Sequence, residues 1–337
     1  MARAVLCGSL NLATRDDVFR TVSSIAGASV KRIPDGETGE RQAWTDSQIP
    51  RFAANPELER ADDSAVTGLP SFRLRPGADA DALHFEFDYV AAALDSYRAF
   101  AELKQEGVIP NTTRFQVSLP TPVAMGMYVD PADIEAILPA LERSLVDQVR
   151  DITGGIPHDQ LAIQFDLAAE MAVVEGVMPI GPVTDLSAVA DAAARLAEAV
   201  PGDVEVGFHL CYGDEPDAGG EGQHFMQPAD TSKLVALANA LSRSLGRPIG
   251  WIQMPVPIER DDEAYFAPLA DLDLPAETEL YLGLVHKEDG VEGAQRRVAA
   301  AAQYVDDFGV ATECGMGREP REAVPELLRI QAEVKTR

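Results

Sequence analysis

His209 and Cys211 stand two residues apart at the end of an apolar run, Val204 to Cys211. A second cysteine, Cys314, ends the run Val310 to Cys314 and is followed by Gly315-Met316-Gly317. Residues two apart on a strand share a face, so the imidazole and the thiol of the first pair can reach one ion. The chain has 3 cysteines in 337 residues, and two of them fall at such strand ends. Thiolate sulfur together with imidazole suits zinc. Three protein ligands leave a fourth position open, which suits catalysis, and a thiol substrate there would be kept as its nucleophilic thiolate at neutral pH. The competing reading is three packed residues without metal, because a buried cysteine often serves as a small core residue.

Other polar residues end the remaining apolar runs. Ser9 follows Ala4 to Cys7, Asp35 and Glu37 follow Val30 to Ile33, and Asp166 follows Leu161 to Phe165. Gln253 lies in Ile249 to Met254, and His286 follows Leu280 to Val285. Glu37 and Asp166 are able to bind an ammonium, and Ser9 a carboxylate. An unpaired carboxylate at Asp166, beside so apolar a run, would be costly to bury. Glu37 reads equally well as a solvated loop acid, and His286 as a structural histidine. Arg41, Trp44, Lys287 and Arg318 could meet an anionic or aromatic substrate, although surface charge and ordinary packing explain each more simply. Trp251 either packs inside the sheet or lines a site.

These residues need a scaffold that gathers strand ends. Apolar, often β-branched runs alternate with amphipathic helical patterns: Ile134 to Val149, Leu186 to Ala199, Thr231 to Leu245, Gly293 to Phe308 and Arg321 to Lys335. Eight such runs, with Phe115 to Leu119 as the third, predict an α/β fold, a (β/α)8 TIM barrel spanning 1–337 as a single domain. A doubly wound open sheet is the competing architecture. The segment from Thr38 to Thr112 is too long for one βα unit and reads as an elaboration between strands 2 and 3. Gly213 to Gly222, rich in glycine and acid, reads as a lid just beyond the His-x-Cys pair.

Composition narrows the partners. Fifty-five acids against 28 Lys plus Arg give a formal charge of −27, which repels phosphate backbones and anionic membranes. Neither nucleic acid nor a membrane is expected. The first residues lack a signal-peptide core, and the odd cysteine count fits a reducing cytoplasm. There is no P-loop, no Gly-x-Gly-x-x-Gly after a strand and no Gly-x-Ser-x-Gly elbow. Gly315-Met316-Gly317 could still receive a phosphate at the end of the last strand.

Seven short motifs occur in a familiar order: Cys7-Gly-Ser9, Asp35-Gly-Glu37, Thr121-Pro-Val-Ala124, Gln164-Phe-Asp166, His209-Leu-Cys-Tyr212, His286 and Glu313-Cys-Gly315. In these the chain resembles the catalytic barrel of cobalamin-independent methionine synthase. The wider superfamily also holds uroporphyrinogen decarboxylase and zinc-dependent thiol alkyltransferases. The resemblance implies zinc on His209, Cys211 and Cys314, with Ser9, Glu37 and Asp166 gripping the amino-acid part of a thiol. It implies a proton-transfer role for His286. Tyr128 falls near the tryptophan that stacks on the pterin in the folate-using enzyme. Gln253 departs from the family, which has a glutamate there as a further zinc ligand.

The expected activity is a zinc-dependent methyl or alkyl transfer to a small-molecule thiol, from a donor other than folate. One alternative is a metal-independent decarboxylase or lyase working on a small acid or aromatic through Asp166, Glu37 and His286. Another is a zinc-retaining binding protein without turnover. Oligomeric state is not encoded in any of these features.

Overall fold

The computed structural model describes residues 3–64, 68–213 and 226–336. Apart from Gly213, the expected lid lies outside the described residues. The described residues form nine strands: β1 (Arg32–Pro34), β2 (Leu58–Arg60), β3 (Phe72–Leu74), β4 (Arg114–Pro120), β5 (Leu161–Leu167), β6 (Glu205–Leu210), β7 (Trp251–Pro255), β8 (Glu279–Val285) and β9 (Gly309–Thr312). Seven make one sheet in the order β1-β4-β5-β6-β7-β8-β9, every neighbouring pair parallel. The first apolar run closes that sheet. Ala4 bridges in parallel to Val30 before β1 and to Val310 in β9, and Leu10 bridges to Met316 further up. Its amide hydrogen bonds are too sparse for a continuous strand, yet they join both edges, and the result is the (β/α)8 barrel.

The outer ring closes as well, since the helix Val324–Glu333 packs on Arg15–Ile25. Tyr89–Gln105 takes a regular place in that ring between Arg15–Ile25 and Ile134–Gly155. The elaboration between the second and third barrel strands is therefore shorter than the sequence suggests. It holds the antiparallel pair β2 and β3, the helix Ile49–Ala54 and the turns around them.

Period-two alternation writes the barrel wall. On β6, Val206, Phe208 and Leu210 join the large core between sheet and helices, leaving Glu205, Gly207 and His209 on the other face. On β5 the same rule leaves Ala162, Gln164 and Asp166 inside, while Leu161, Ile163, Phe165 and Leu167 face the helices. A separate small cluster of Val5, Cys7, Ala162, Trp251, Tyr281 and Ala311 fills the interior.

Charge plugs the end opposite the strand C-termini. The Arg32 guanidinium, 2% exposed, donates to Glu205 at 2.6 and 3.0 Å and to Glu279 at 3.0 Å. It also lies 4.1 Å from the centre of the Trp251 ring. A Cβ on Gly207 would come within 2.0 Å of that ring, so glycine is what lets the indole lie inside the barrel. Above this floor, Gln116 donates to Leu6 O at 2.8 Å and Gln164 to Cys7 O at 2.8 Å, tying the closing run to β4 and β5.

Candidate metal centre

β6 delivers His209 to the C-terminal mouth, in register with Asp166 of β5 and Gln253 of β7. Cys211 follows directly, its amide donating to Leu167 O at 3.3 Å, so the strand geometry persists to the thiol. Cys314 stands just beyond β9. There the Thr312 hydroxyl donates to Cys314 O at 2.7 Å and Met316 N to Ser9 O at 2.7 Å, which pins the turn. Gly315 and Gly317 are required by this packing, since a Cβ on them would approach Ser9 Oγ to 2.4 and 2.7 Å. They form a close contact with the first run, the physical account of a glycine pair that the sequence also allowed as a phosphate cradle.

The ligand atoms of His209, Cys211 and Cys314 all lie within 4.8 Å of one another, and the two sulfurs are 3.6 Å apart. These residues could hold a metal ion such as zinc. The imidazole is set for it: Nδ1 donates to Gln253 Oε1, leaving the lone pair on Nε2. Nε2 is buried without a hydrogen-bond partner among the described residues. A buried, unsatisfied nitrogen beside two thiols is the condition a soft cation relieves. Gln253 is committed elsewhere, because its Nε2 donates at 3.2 Å to both Thr312 O and Glu313 O. The amide at the position of the expected glutamate ligand thus orients the histidine, a support that a carboxylate could not extend to two carbonyls.

One of the two thiols, Cys314, is already biased toward ionisation. Their mutual hydrogen bond holds Cys314 well below the ordinary thiol range and pushes Cys211 up, so one proton serves both sulfurs. His209 and the Arg318 guanidinium also draw Cys314 down. The Gly213 amide donates to Cys211 Sγ at 3.3 Å.

A cavity of about 190 Å³ opens on the trio, walled also by Ser9, Glu37 and Asp166. Burial pushes Asp166 up to about 7, against the pull of His209 and hydrogen bonds from Gln164 and the Trp44 indole. Burial together with the charges of Asp166 and Asp35 pushes Glu37 well above the carboxylate range. Two carboxyl groups crowded at one wall make a receptor for a cation.

Tyr128 is in the wall too, but wholly buried, its hydroxyl shared between Asp46 at 2.5 Å and Thr45 at 2.8 Å. Trp44 and Arg318 line the cavity, whereas Arg41 is bound to Asp35 and Lys287 to Glu319. Trp251 packs inside the barrel. His286 is not on the cavity wall among the described residues. Its Nε2 donates to Val256 O at 2.9 Å and its Nδ1 faces Glu313 at 4.0 Å.

Cys7, 5% exposed, also reaches the cavity wall, and burial raises its thiol. The signal for it was present, since it is the inward-alternating residue of the closing run. Trp44 had no such signal, because nothing in its spacing ties a loop aromatic to a strand end.

The fold is shared over the full length with solved structures. A B12-independent methionine synthase from a Shewanella species, in complex with selenomethionine, matches with a TM-score of 0.59 at 14% identity, covering 98% of this chain and 95% of that one. A Listeria monocytogenes protein bearing the name of vitamin-B12 independent methionine synthase matches with a TM-score of 0.58 at 12% identity, covering 100% of both chains. No family model matches the chain, and no curated protein sequence does.

Proposed function

We propose that this chain is a zinc-dependent methyl or alkyl transferase whose acceptor is a small-molecule thiol. The observation that carries the reading is the unsatisfied His209 Nε2 facing two sulfurs at the mouth of a barrel. His209, Cys211 and Cys314 would hold the metal, which when bound would lower the pKa of an incoming thiol and keep it nucleophilic. Asp166 and Glu37 bind the ammonium of an amino-acid thiol, and Ser9 meets its carboxylate. Gln253 keeps the imidazole in the tautomer that presents Nε2. The apolar side of the wall, with Met127, Met178 and Ala169, excludes water from the reacting sulfur. His286, which donates through Nε2 to Val256 O and turns Nδ1 toward Glu313, is the group assigned to proton transfer at the leaving group. The donor is a small alkyl compound rather than a folate, in keeping with the modest cavity and the acidic surface.

Metal analysis of protein purified without chelator tests this. The parent is expected to carry about one zinc per chain, as catalytic sites of this ligand type do. Cys211→Ala and Cys314→Ala are expected to lose it while remaining folded by circular dichroism. A parent without stoichiometric zinc overturns the reading.

One observation favours a second reading. An Asp166 carboxyl titrating at about 7 beside Glu37 suits general acid-base work on a small acid or aromatic, as in a decarboxylase or lyase. Turnover that survives complete metal removal would select it.

A further inference from the structure

Glu37 stands between two cavities. Among the described residues it alone lines both the chamber at the metal centre and a second space of about 20 Å³ behind it. Its backbone lies in the left-handed region, with φ 49°, which a residue with a side chain keeps only where its surroundings hold it. The hold is Asp35: Oδ1 accepts from the Glu37 amide at 2.9 Å, while Oδ2 accepts from Arg41 at 2.5 Å and from Ser96 at 2.7 Å. A Cβ on Gly8 would lie 3.1 Å from Ser118 Oγ and 3.7 Å from Glu37 Oε1, so the carboxylate reaches toward the Ser118 side of the wall. The second space is too small for a substrate, yet its wall carries polar atoms with bonds still to make. Gln116, 1% exposed, spends Nε2 on Leu6 O at 2.8 Å and Gln164 Oε1 at 3.2 Å, and its Oε1 has no partner among the described residues. Nor has the buried Tyr89 hydroxyl. Both residues line the space, as does Ser118, whose Oγ accepts from Gln116 and Gln164 at 3.4 Å and has its own proton left to give.

Two unsatisfied buried atoms at one small cavity call for a bound molecule, and counting donors and acceptors identifies it. Gln116 Oε1 and the Glu37 carboxylate need donors, whereas the Tyr89 and Ser118 hydroxyls have protons to donate. Water, with two protons and two lone pairs, meets all four. A space of about 20 Å³ takes one such molecule. An ammonium ion or a metal cation has no lone pair to offer, and would leave both hydroxyl protons without an acceptor. We propose that this space is a binding site for a single water molecule that braces the Glu37 carboxylate from behind, with Tyr89 as a positioning residue acting through it. The brace stands apart from the thiol-acceptor reading, which enters only in the choice of one probe below.

Crystal structures of the parent and of Tyr89→Phe, at a resolution that shows ordered water, test the site. The parent is expected to hold one water within about 3.2 Å of Tyr89 Oη, Gln116 Oε1 and the Glu37 carboxylate. Tyr89→Phe should lose or displace it, and the Glu37 carboxylate should shift or take two conformers. Urea unfolding supplies a readout without ligand: Tyr89→Phe should have the lower midpoint, because it gives up a satisfied hydrogen bond, whereas an orphan hydroxyl would give the reverse. The loss should shrink in a Glu37→Gln chain, where a neutral amide draws less on the water. In calorimetric titration of zinc-loaded protein, Tyr89→Phe should bind L-homocysteine about threefold more weakly or worse, at parental zinc content. A parent without the water overturns the site, and so does one with contacts of about 2.3–2.6 Å there, the mark of a hard cation. A water present in the parent, with Glu37 unmoved and the midpoint not lowered in Tyr89→Phe, overturns the brace. A parent that takes up zinc but binds no L-homocysteine overturns the thiol-acceptor reading alone, and the crystal structures and urea midpoints then decide the brace.

Discussion

Gln253 Oε1 accepts the Nδ1 proton of His209, while the amide nitrogen of the same side chain donates to two carbonyls of the strand that leads to Cys314. One residue therefore links the histidine to the distant cysteine. Replacing such a support typically weakens metal binding ten- to a hundredfold. Gln253→Met, similar in volume but unable to hydrogen-bond, is expected to lower zinc affinity by about that factor, read by competition with a chromophoric chelator. An unchanged affinity would remove Gln253 from the metal site.

Ser9 and Gly317 form a second long-range contact, close enough that a Cβ would lie 2.7 Å from the hydroxyl and 2.8 Å from Ser9 Cβ. Gly317→Ala should cost about 1–3 kcal/mol of stability through overpacking. Because the clash is with the Ser9 side chain, Ser9→Gly in the same chain should restore part of the loss. Urea unfolding of both single variants and the double variant gives the coupling. Strict additivity would show that the two residues do not meet.

Arg32 lies at the other end of the barrel, so its loss should separate stability from metal binding. Arg32→Met leaves Glu205 and Glu279 without their buried partner, and breaking a pair of this kind costs about 3–5 kcal/mol. Zinc content should be unaffected in the fraction that folds. Loss of zinc in a folded Arg32→Met protein would contradict this division between floor and mouth.

Glu170, 1% exposed, is held by Thr121 through Oε1 and has no partner at Oε2 among the described residues. Burial pushes its carboxyl from 4.5 up to about 7. A folded-state pKa above the unfolded one means the native state keeps a proton that the unfolded state releases. The contribution to stability is therefore full below pH 4.5 and is lost as pH rises through 7. Glu170→Gln escapes that loss and should be the more stable protein at pH 8, by at most about 3 kcal/mol. Its advantage should fade toward pH 5, as followed by urea midpoints across the range. A pH-independent difference would place the carboxyl in water.

Cys7 and Gln164 mark how far the chain could be read directly. Alternation along Val204 to Cys211 and Leu161 to Phe165 already placed His209, Cys211 and Asp166 on shared strand faces, because a pleated strand turns alternate residues the same way. The barrel was legible for the same reason: strand and helix periods are local properties, and eight repeats of them leave few ways to bury both faces. The closing run was legible as apolar but not as the join between β1 and β9, since pairing partners are chosen by the whole sheet.

What Gln253 does was beyond local reading. A side chain set against a ligand position by resemblance is an acceptor for His209 only once β6 and β7 lie in register. Trp44 shows the same limit more sharply, because the two residues after it are fastened to the hydroxyl of Tyr128, a residue 84 positions away in the chain that local sequence preference does not sense. Residue type and period determined which atoms are available for chemistry and which face of a strand they occupy. Tertiary structure alone decided which of them meet, because distances between strand ends follow from closing the sheet, and closure is a property no single segment possesses.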